Sequence, residues 1–288
     1  NDGTVEATCL ADVNLVVPNG TVIPRKQNVK IWTPRFAVNY KASNDILLFA
    51  SATKGFKSGG WNARGTSPSE LLPFDAEKAW SYEAGVKSEL LDRRLRVNLS
   101  AYWLDVSGLQ TPSGFVRANG SIGFVTRNFA DYENKGIELE INAVPARGLN
   151  VFASFGYQDD KYKIDLNRPV LDAYGVQSVG AQQAKCLAQL AAGLVPGGNA
   201  TDCAQGIVAA NGSLASPVRT PKFNLSIGGS YEAELGGGLS LIPAINASWR
   251  DKSEVGTSNV TFYDDPVTSS AGPVYANNLL GNGPRIAG

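Results

Sequence analysis

Histidine and methionine are both absent from this 288-residue sequence. Without histidine, the side chain that titrates near neutrality and serves most often as general base or metal ligand is missing. That excludes Ser-His-Asp, Cys-His and HExxH chemistry within the chain. Without methionine there is no initiator, which points to a processed product or a fragment, and the polar start NDGTVEATCLADVN offers no signal peptide. No apolar run approaches the length of about eighteen residues that a membrane-crossing helix needs. The 26 basic and 26 acidic residues cancel. The basic surplus that a nucleic-acid partner requires is therefore missing, and no nucleic-acid partner is expected. Cysteine is scarce: only Cys9, Cys186 and Cys203 occur, none in CxxC spacing, so a zinc site is not expected. Cys186 and Cys203 bracket LAQLAAGLVPGGNATD. A disulfide there would restrict a loop-like insert, a stabilisation of about 3 kcal/mol at this loop size, and would suit an oxidising compartment. Two free thiols in a mobile loop are the alternative. Cys9 is expected to stay unpaired.

What the chain has in quantity is alternation of period two. TPRFAVNYKA (33–42) sets Phe36, Val38 and Tyr40 against Arg35, Asn39 and Lys41. KAWSYEAGVKSELL (78–91) sets Trp80, Tyr82, Ala84 and Val86 against Ser81, Glu83 and Lys87. LRVNLSAYWLDV (95–106), NKGIELEINAV (134–144), LNVFASFGYQDDKYKI (149–164) and KFNLSIGGSYEAEL (222–235) repeat the pattern; with ILLFASATKGF, which follows Ser43-Asn44-Asp45, counted, LSLIPAINASWR is an eighth strand. Leu95, Val97, Leu99, Ile137, Leu139, Ile141, Leu225 and Ile227 share the apolar face. Arg96, Asn98, Glu138, Glu140, Asn224 and Ser226 share the polar one.

The connections come in two kinds. Tight turns at Ser43-Asn44-Asp45, Asp92-Arg93-Arg94, Pro145–Gly148 and Gly236-Gly237-Gly238 alternate with long segments. Short turns at one end and long loops at the other mark an outer-membrane β-barrel. Strands of ten to fourteen residues suit a tilted crossing of a membrane. Trp80, Tyr82, Trp103, Tyr157 and Trp249 near strand ends suit an interfacial aromatic girdle. A soluble β-sandwich would show the same alternation. Within 165–218, VGAQQAKCLAQLAAGL reads as a short amphipathic helix. Eight Asn-X-Ser/Thr sequons occur, but those at Asn98, Asn224 and Asn246 are what a polar strand face produces. Glu138 and Glu140 are spaced as wall residues rather than as a glycosidase pair. Neither an enzyme nor a cofactor is expected.

Three stretches carry a family resemblance. They are TPRFAVNYKASNDILLFASATKGFKSGGWN, FDAEKAWSYEAGVKSELLDRRLRVNLSAYWLDVSGLQ and FADYENKGIELEINAVPARGLNVFASFGYQD. In order and spacing they resemble successive hairpins of the TonB-dependent outer-membrane receptors, strongly over 31–164 and more weakly over 217–252. The resemblance implies an all-β fold: an antiparallel transmembrane barrel of about 22 strands around an N-terminal plug. The plug, the energy-coupling box and a terminal aromatic strand are not seen, so the chain reads as an internal piece of the barrel's C-terminal half. Residues 1–288 then belong to one barrel domain, with 1–30, 58–77, 107–123, 165–218 and 253–288 as extracellular loops. A self-closed eight-stranded barrel is the structural alternative.

The implied function is active uptake of a scarce nutrient across the bacterial outer membrane. A ferric siderophore is the expected ligand, and the TonB complex the energy source through the missing plug. Glu83, Lys87, Arg96, Asn98, Glu138 and Glu140 would solvate the plug interface. Trp61, Asn62 and Arg64 follow the glycine hinge, and Arg117, Tyr162, Lys163 and Arg168 lie at other loop bases. Aromatics beside cations suit an anionic, ring-bearing ligand. Glycan or vitamin uptake by the same family, a passive porin and a surface adhesin are the alternatives.

Overall fold

The computed structural model describes residues 24, 26–62, 71, 73–116, 122–172, 175–193, 203, 207–209, 211–255 and 285–286. Eight strands form one sheet in which each pairs antiparallel with the next in the chain. They are β1 (Arg35–Lys41), β2 (Ile46–Lys57), β3 (Glu77–Leu90), β4 (Leu95–Val116), β5 (Ile122–Ala146), β6 (Leu149–Ile164), β7 (Phe223–Tyr231) and β8 (Ala244–Arg250). Residues directly opposite in a ladder share a face, so the register turns each strand's alternation into rows. One row runs Leu48, Val86, Leu99, Leu139, Phe155, Leu225, Trp249. The next, on the opposite face, runs Lys87, Asn98, Glu140, Ser154, Ser226, Ser248. The apolar and polar sets expected from the sequence are therefore two coherent faces of one wall.

No described protein covers the apolar face. Phe36, Val38 and Ile245 on its outer strands are 65%, 62% and 78% exposed. Burying one such side chain is worth about 1.5–3 kcal/mol, so this face demands an apolar surround. Its hydroxyl at Ser88 is silenced locally, donating to the Val97 carbonyl at 2.8 Å. Tyr82, Trp103, Tyr157 and Phe223 each lie eight residues from the turn-side end of their strand, at Leu90, Leu95, Leu149 and Tyr231. That is about 26 Å along the strand, or about 20 Å of height at a tilt of ~40°. Tyr82 stacks on Trp80 and Trp103 with ring centroids 5.7 and 5.4 Å apart, and Tyr157 meets Phe223 at 5.1 Å. The aromatics thus border an apolar band of nearly membrane height.

All four tight connections lie at one end, because the strands pair antiparallel in chain order and successive connections therefore alternate between the two ends of the sheet. At the β3–β4 turn Leu91, Asp92 and Arg93 are left-handed with φ of 54°, 53° and 65°. Glu89 steadies that turn through Arg96 at 2.7 Å and Arg93 at 3.6 Å. Between β7 and β8 the glycine turn tips a small hairpin, Ala233–Gly236 with Leu239–Leu241, that projects past the wall. Three successive positive φ values there explain the glycines.

The structure corrects one expectation. The segment 107–123 is mostly paired strand, not loop: β4 and β5 continue their ladder to Val116↔Ile122. Register shifts between Val106 and Leu109 and between Leu109 and Thr111 break the alternation there, with Gly108 at φ 64°. The segment 58–77 contains a short pairing of Gly60–Trp61 with Pro73–Phe74. The segment 165–218 holds a hairpin, Pro169–Asp172 with Gly175–Ser178, and then the expected helix, α1 (Val179–Ala191). Ser178 caps α1 by accepting from Ala181 N at 3.1 Å.

Candidate functional site

The polar face is paved by residues that keep it low and wet. Asn98 donates to Glu140 at 3.0 Å. Glu83, Lys87, Glu138 and Asn224 join this pair around a hollow of about 550 Å3. Aromatic rings on this face lie over glycines directly across the ladder: Phe49 over Gly85, Tyr102 over Gly136 and Phe152 over Gly228. A Cβ at Gly136 would stand 2.6 Å from the Tyr102 oxygen, so glycine is what lets the ring lie flat against the wall. Lys87 reaches over the Phe49 ring, 5.5 Å from its centroid.

At the loop end the polar face is roofed. The β5–β6 register runs without a shift from Glu140↔Ser154 to Ala130↔Ile164. Ala130, Tyr132, Tyr162 and Ile164 therefore stand on the same face as Glu138 and Glu140. Ala130 belongs to, and Tyr162 and Ile164 pack against, the chain's main buried cluster among the described residues, completed by Val179, Ile207, Val208 and Ala215, with Leu166 and Leu214 at its margin. The described parts of the insert 165–218 thus fold over the polar side of the wall. Cys186 and Cys203 are disulfide-bonded within it, and buried Gln183 donates to the Ala209 carbonyl at 2.8 Å. Tyr132 and Tyr162 face each other at 5.9 Å, and Tyr132 donates to Asp160 at 3.2 Å. Burial pushes both phenols upward, with the Asp160 carboxylate adding to it, so both remain protonated donors.

A second assembly clasps the segment 58–75 to the extended β4–β5 hairpin. Asn128 accepts from Asp75 N at 2.7 Å and donates to the Asp75 and Gly108 carbonyls at 3.0 and 2.6 Å. Gln110 donates to the Ser58 and Asp75 carbonyls at 2.8 and 3.0 Å. Asn62 accepts from Thr126 N at 2.9 Å, and the Trp61 indole donates to the Pro24 carbonyl at 2.9 Å. The glycine hinge at Gly59-Gly60 meets the Phe74 backbone closely, which leaves no room for a side chain at Gly59.

The third group lies on the opposite, apolar-side face. Asp131 and Lys163 are cross-strand partners, as are Glu133 and Lys161, and both pairs extend the row of Ile137 and Tyr157. Arg168 forms a bidentate pair with Asp131 at 3.0 and 2.6 Å. Lys163 bonds Glu133 at 2.6 Å and approaches Asp105 at 3.6 Å, and Lys161 is 3.3 Å from Glu133. The hydrogen bond from Lys163, helped by Lys161, holds the Glu133 carboxyl down from 4.5 to about 2. The hydrogen bonds from Arg168 also lower the Asp131 carboxyl.

The structure therefore separates the residues that the sequence grouped as ligand contacts. Trp61 and Asn62 belong to the clasp at the mouth. Tyr162 supports the insert from below. Lys163 and Arg168 stand outside the mouth, tied to carboxylates on the face away from the hollow. The alternation that carries a residue at the loop base to one face or the other explains this: 162 is in phase with 154 and 156, whereas 163 is in phase with 155 and 157. Arg64, Arg117 and Cys9 lie outside the described residues. Gln110, Asn128 and Asp131, which organise the clasp and the outer ion pairs, were not marked by any motif. Only their position beside the Gly108 bulge distinguishes them.

A family model described as "TonB dependent receptor-like, beta-barrel" matches residues 12–282. The metal-pseudopaline receptor CntO of Pseudomonas aeruginosa (strain UCBPP-PA14) is 31% identical over 143 residues, covering 49% of this chain and 18% of that protein. The ferric-pyoverdine 358 receptor of Pseudomonas putida is 28% identical over 127 residues, covering 44% of this chain and 15% of that one. The ferric yersiniabactin uptake receptor FyuA of Yersinia pestis superimposes with a TM-score of 0.52 at 14% identity, over 79% of this chain and 27% of that one, which is a likeness of fold. The matched stretches span less than a fifth of the curated relatives' length.

Proposed function

Because the chain belongs to the TonB-dependent receptor-like β-barrel family, we propose that it forms part of the barrel wall of an outer-membrane receptor that imports a metal chelate. A ferric siderophore is the ligand class we favour, and energy would come through TonB acting on a plug. The relatives named above support the ligand class, being receptors for a metal-pseudopaline and a ferric pyoverdine. In this reading the apolar face meets lipid, the polar face lines the lumen, and eight of the barrel's roughly 22 strands are contributed here.

One observation carries the mechanism. The described parts of the insert 165–218 roof the lumen side of β5 and β6 rather than standing clear of the wall. A solute entering the lumen must pass this roof and the clasp of 58–75 beside it. Those two assemblies are the surfaces that select the chelate, with Trp61 and Asn62 at the clasp. Below them, Glu83, Lys87, Asn98, Glu138 and Glu140 give a hydrated wall against which a plug could slide without leaving buried charges unpaired. The role is transport rather than catalysis, in keeping with the receptor family to which the chain belongs.

The test is uptake of iron-55 chelates by cells whose other chelate receptors are deleted and which express the full-length receptor. Accumulation should require the receptor and should vanish in a strain lacking TonB. Equal accumulation without TonB would identify a passive pore instead. No accumulation of any metal chelate, with uptake of a glycan or vitamin, would move the ligand class.

A further inference from the structure

The ladder between β4 and β5 keeps one register from Leu95↔Ala143 to Val106↔Tyr132, and it resumes that same register from Thr111↔Arg127 to Val116↔Ile122. Only Leu109↔Ala130, between them, is displaced by one residue. β4 therefore carries an extra residue on the turn side of Leu109, β5 carries one on its loop side, and the two bulges cancel. A regular ladder would pair Gly108 with Ala130 and Gln110 with Asn128. Both arrangements leave the strands on either side in the same register. The segment can pass from one to the other without moving the rest of the wall.

Side chains of β5 hold the displaced arrangement at Gly108. The Gly108 N–H donates to Asp131 Oδ1 at 2.8 Å, and its carbonyl accepts from Asn128 Nδ2 at 2.6 Å. Its φ of 64° is one that glycine adopts without steric cost. Each of these two side chains also holds one of the assemblies at the mouth. Asn128 accepts from Asp75 N at 2.7 Å and donates to the Asp75 carbonyl at 3.0 Å, within the clasp. Asp131 takes both arms of Arg168, at 3.0 and 2.6 Å. Arg168 leads directly into the hairpin Pro169–Asp172 with Gly175–Ser178, whose last residue caps α1. Ala130, which the displacement sets opposite Leu109 instead of Gly108, is itself fully buried in the cluster beneath the insert.

We infer that residues 106–111 of β4 and 127–132 of β5 form a two-state switch that couples the clasp to the roof. With both assemblies seated, the displaced register is held at Gly108 from both sides. Lifting the clasp frees Asn128, and lifting the roof frees Asp131. Either event removes one of the two side-chain bonds at Gly108 and favours the regular ladder. The regular ladder in turn withdraws Gly108 from the other side chain, so the second assembly loosens. A chelate that engages one surface thereby eases the opening of the other. Such coupling is reciprocal, and its physical warrant is an element with two arrangements whose balance both sites bias. The passage of a chelate between clasp and roof rests on the function proposed above, whereas the switch itself is measured without ligand or transport.

The experiment is amide hydrogen exchange on the full-length receptor in detergent, read by mass spectrometry. Gly108→Ala finds room for its methyl group, 3.5 Å from the Ala76 carbonyl and 3.8 Å from Asn128 Nδ2, so it acts through the positive φ alone. The left-handed conformation disfavours alanine, and exchange should rise about tenfold both in 58–62 with 73–75 and in α1. Asn128→Ala should speed exchange in α1, and Asp131→Ala should speed it in 58–62 with 73–75, each by about fivefold or more. The combined Asn128→Ala/Asp131→Ala variant should add little to either change alone, because the displaced register is already lost. The ladder from Leu95 to Val106 should exchange as in the wild type throughout. If Gly108→Ala speeds that ladder as well, the variant is loosened as a whole, and the crossed effects of Asn128→Ala and Asp131→Ala decide. Faster exchange confined to the assembly that each side chain touches would overturn the switch. So would fully independent effects in the double variant, or an unchanged pattern in a folded Gly108→Ala receptor. A receptor that takes up no chelate would undo the proposed function and leave these exchange patterns standing; uncoupled loops in a receptor that does take up chelate would undo the switch alone.

Discussion

Leu139 and Glu140 are neighbours in β5 whose replacement by arginine should have very different consequences. Leu139 pairs with Leu99 and Phe155 on the apolar face. On β4, Leu99 lies four residues from the turn-side end at Leu95 and four from Trp103 in the aromatic row. Position 139 is therefore near the middle of the apolar band, about 13 Å along the strand from either border. A charged side chain there has no nearby headgroup or water. Leu139→Arg should cost about 2–4 kcal/mol of folding free energy in a bilayer. Glu140 is exposed on the lumen side and bonds only Asn98 among the described residues. Glu140→Arg exchanges one solvated charge for another and loses one exposed hydrogen bond, so it should cost about 1 kcal/mol or less. Unfolding of the full-length receptor in lipid vesicles would measure both. Stability alone does not separate a barrel from a sandwich, because a soluble core would also reject an arginine at 139. Cysteine labelling in intact outer membranes does. Leu139→Cys should react with a lipid-soluble maleimide and Glu140→Cys with a water-soluble one. The reverse pattern would refute the facing of the whole wall.

Much of the wall was legible because its register is regular. Wherever two strands alternate without a shift, as for Leu95, Val97 and Leu99 against Arg96 and Asn98, and for Ile137, Leu139 and Ile141 against Glu138 and Glu140, parity alone separated the two faces. The tight turns were legible for a local reason: Gly236-Gly237-Gly238 and Ser43-Asn44-Asp45 are short polar interruptions between alternating runs. The extended hairpin after Val106 was not legible, because two register shifts around Leu109 destroy the period that marks a strand. The roof was half legible. Leucine spacing marked α1, but nothing in the sequence said which side of the wall it would pack on. That follows from Ala130, Tyr132, Tyr162 and Ile164, which replace polar residues in the lumen-side phase at the strand ends. The same parity would have separated Tyr162 from Lys163, and grouping them by chain proximity concealed it.

Other consequences can be checked on the same receptor. Gly136→Val puts a branched side chain where Tyr102 now lies flat and should cost about 1–3 kcal/mol, seen as a lower melting temperature. An unchanged temperature would mean that both the Tyr102 ring and the Tyr157 backbone, whose carbonyl a Cβ at position 136 would meet first, give way without cost. Replacing Cys186 and Cys203 with serine removes a crosslink worth about 3 kcal/mol at this loop length. Limited proteolysis should then cut within 165–218 while the barrel stays folded; unaltered resistance would show that packing on Ala130 and Tyr162 suffices. The last prediction concerns acid. In the folded chain Glu133 is held by Lys163, and secondarily by Lys161, at about 2 instead of 4.5, and Arg168 lowers Asp131 in the same direction. A carboxyl depressed by folding binds its proton more readily once unfolded, so its stabilisation is complete above the unfolded value and fades as pH falls toward the folded one. The loop ends of β5 and β6 should keep constant amide protection from pH 7 to about 5 and lose it between about pH 4.5 and 2. Glu133→Gln, which carries no titrating carboxyl, should lower protection at neutral pH and flatten that acid slope. A wild-type slope that survives the substitution intact would show that the outer ion pairs do not hold these strand ends.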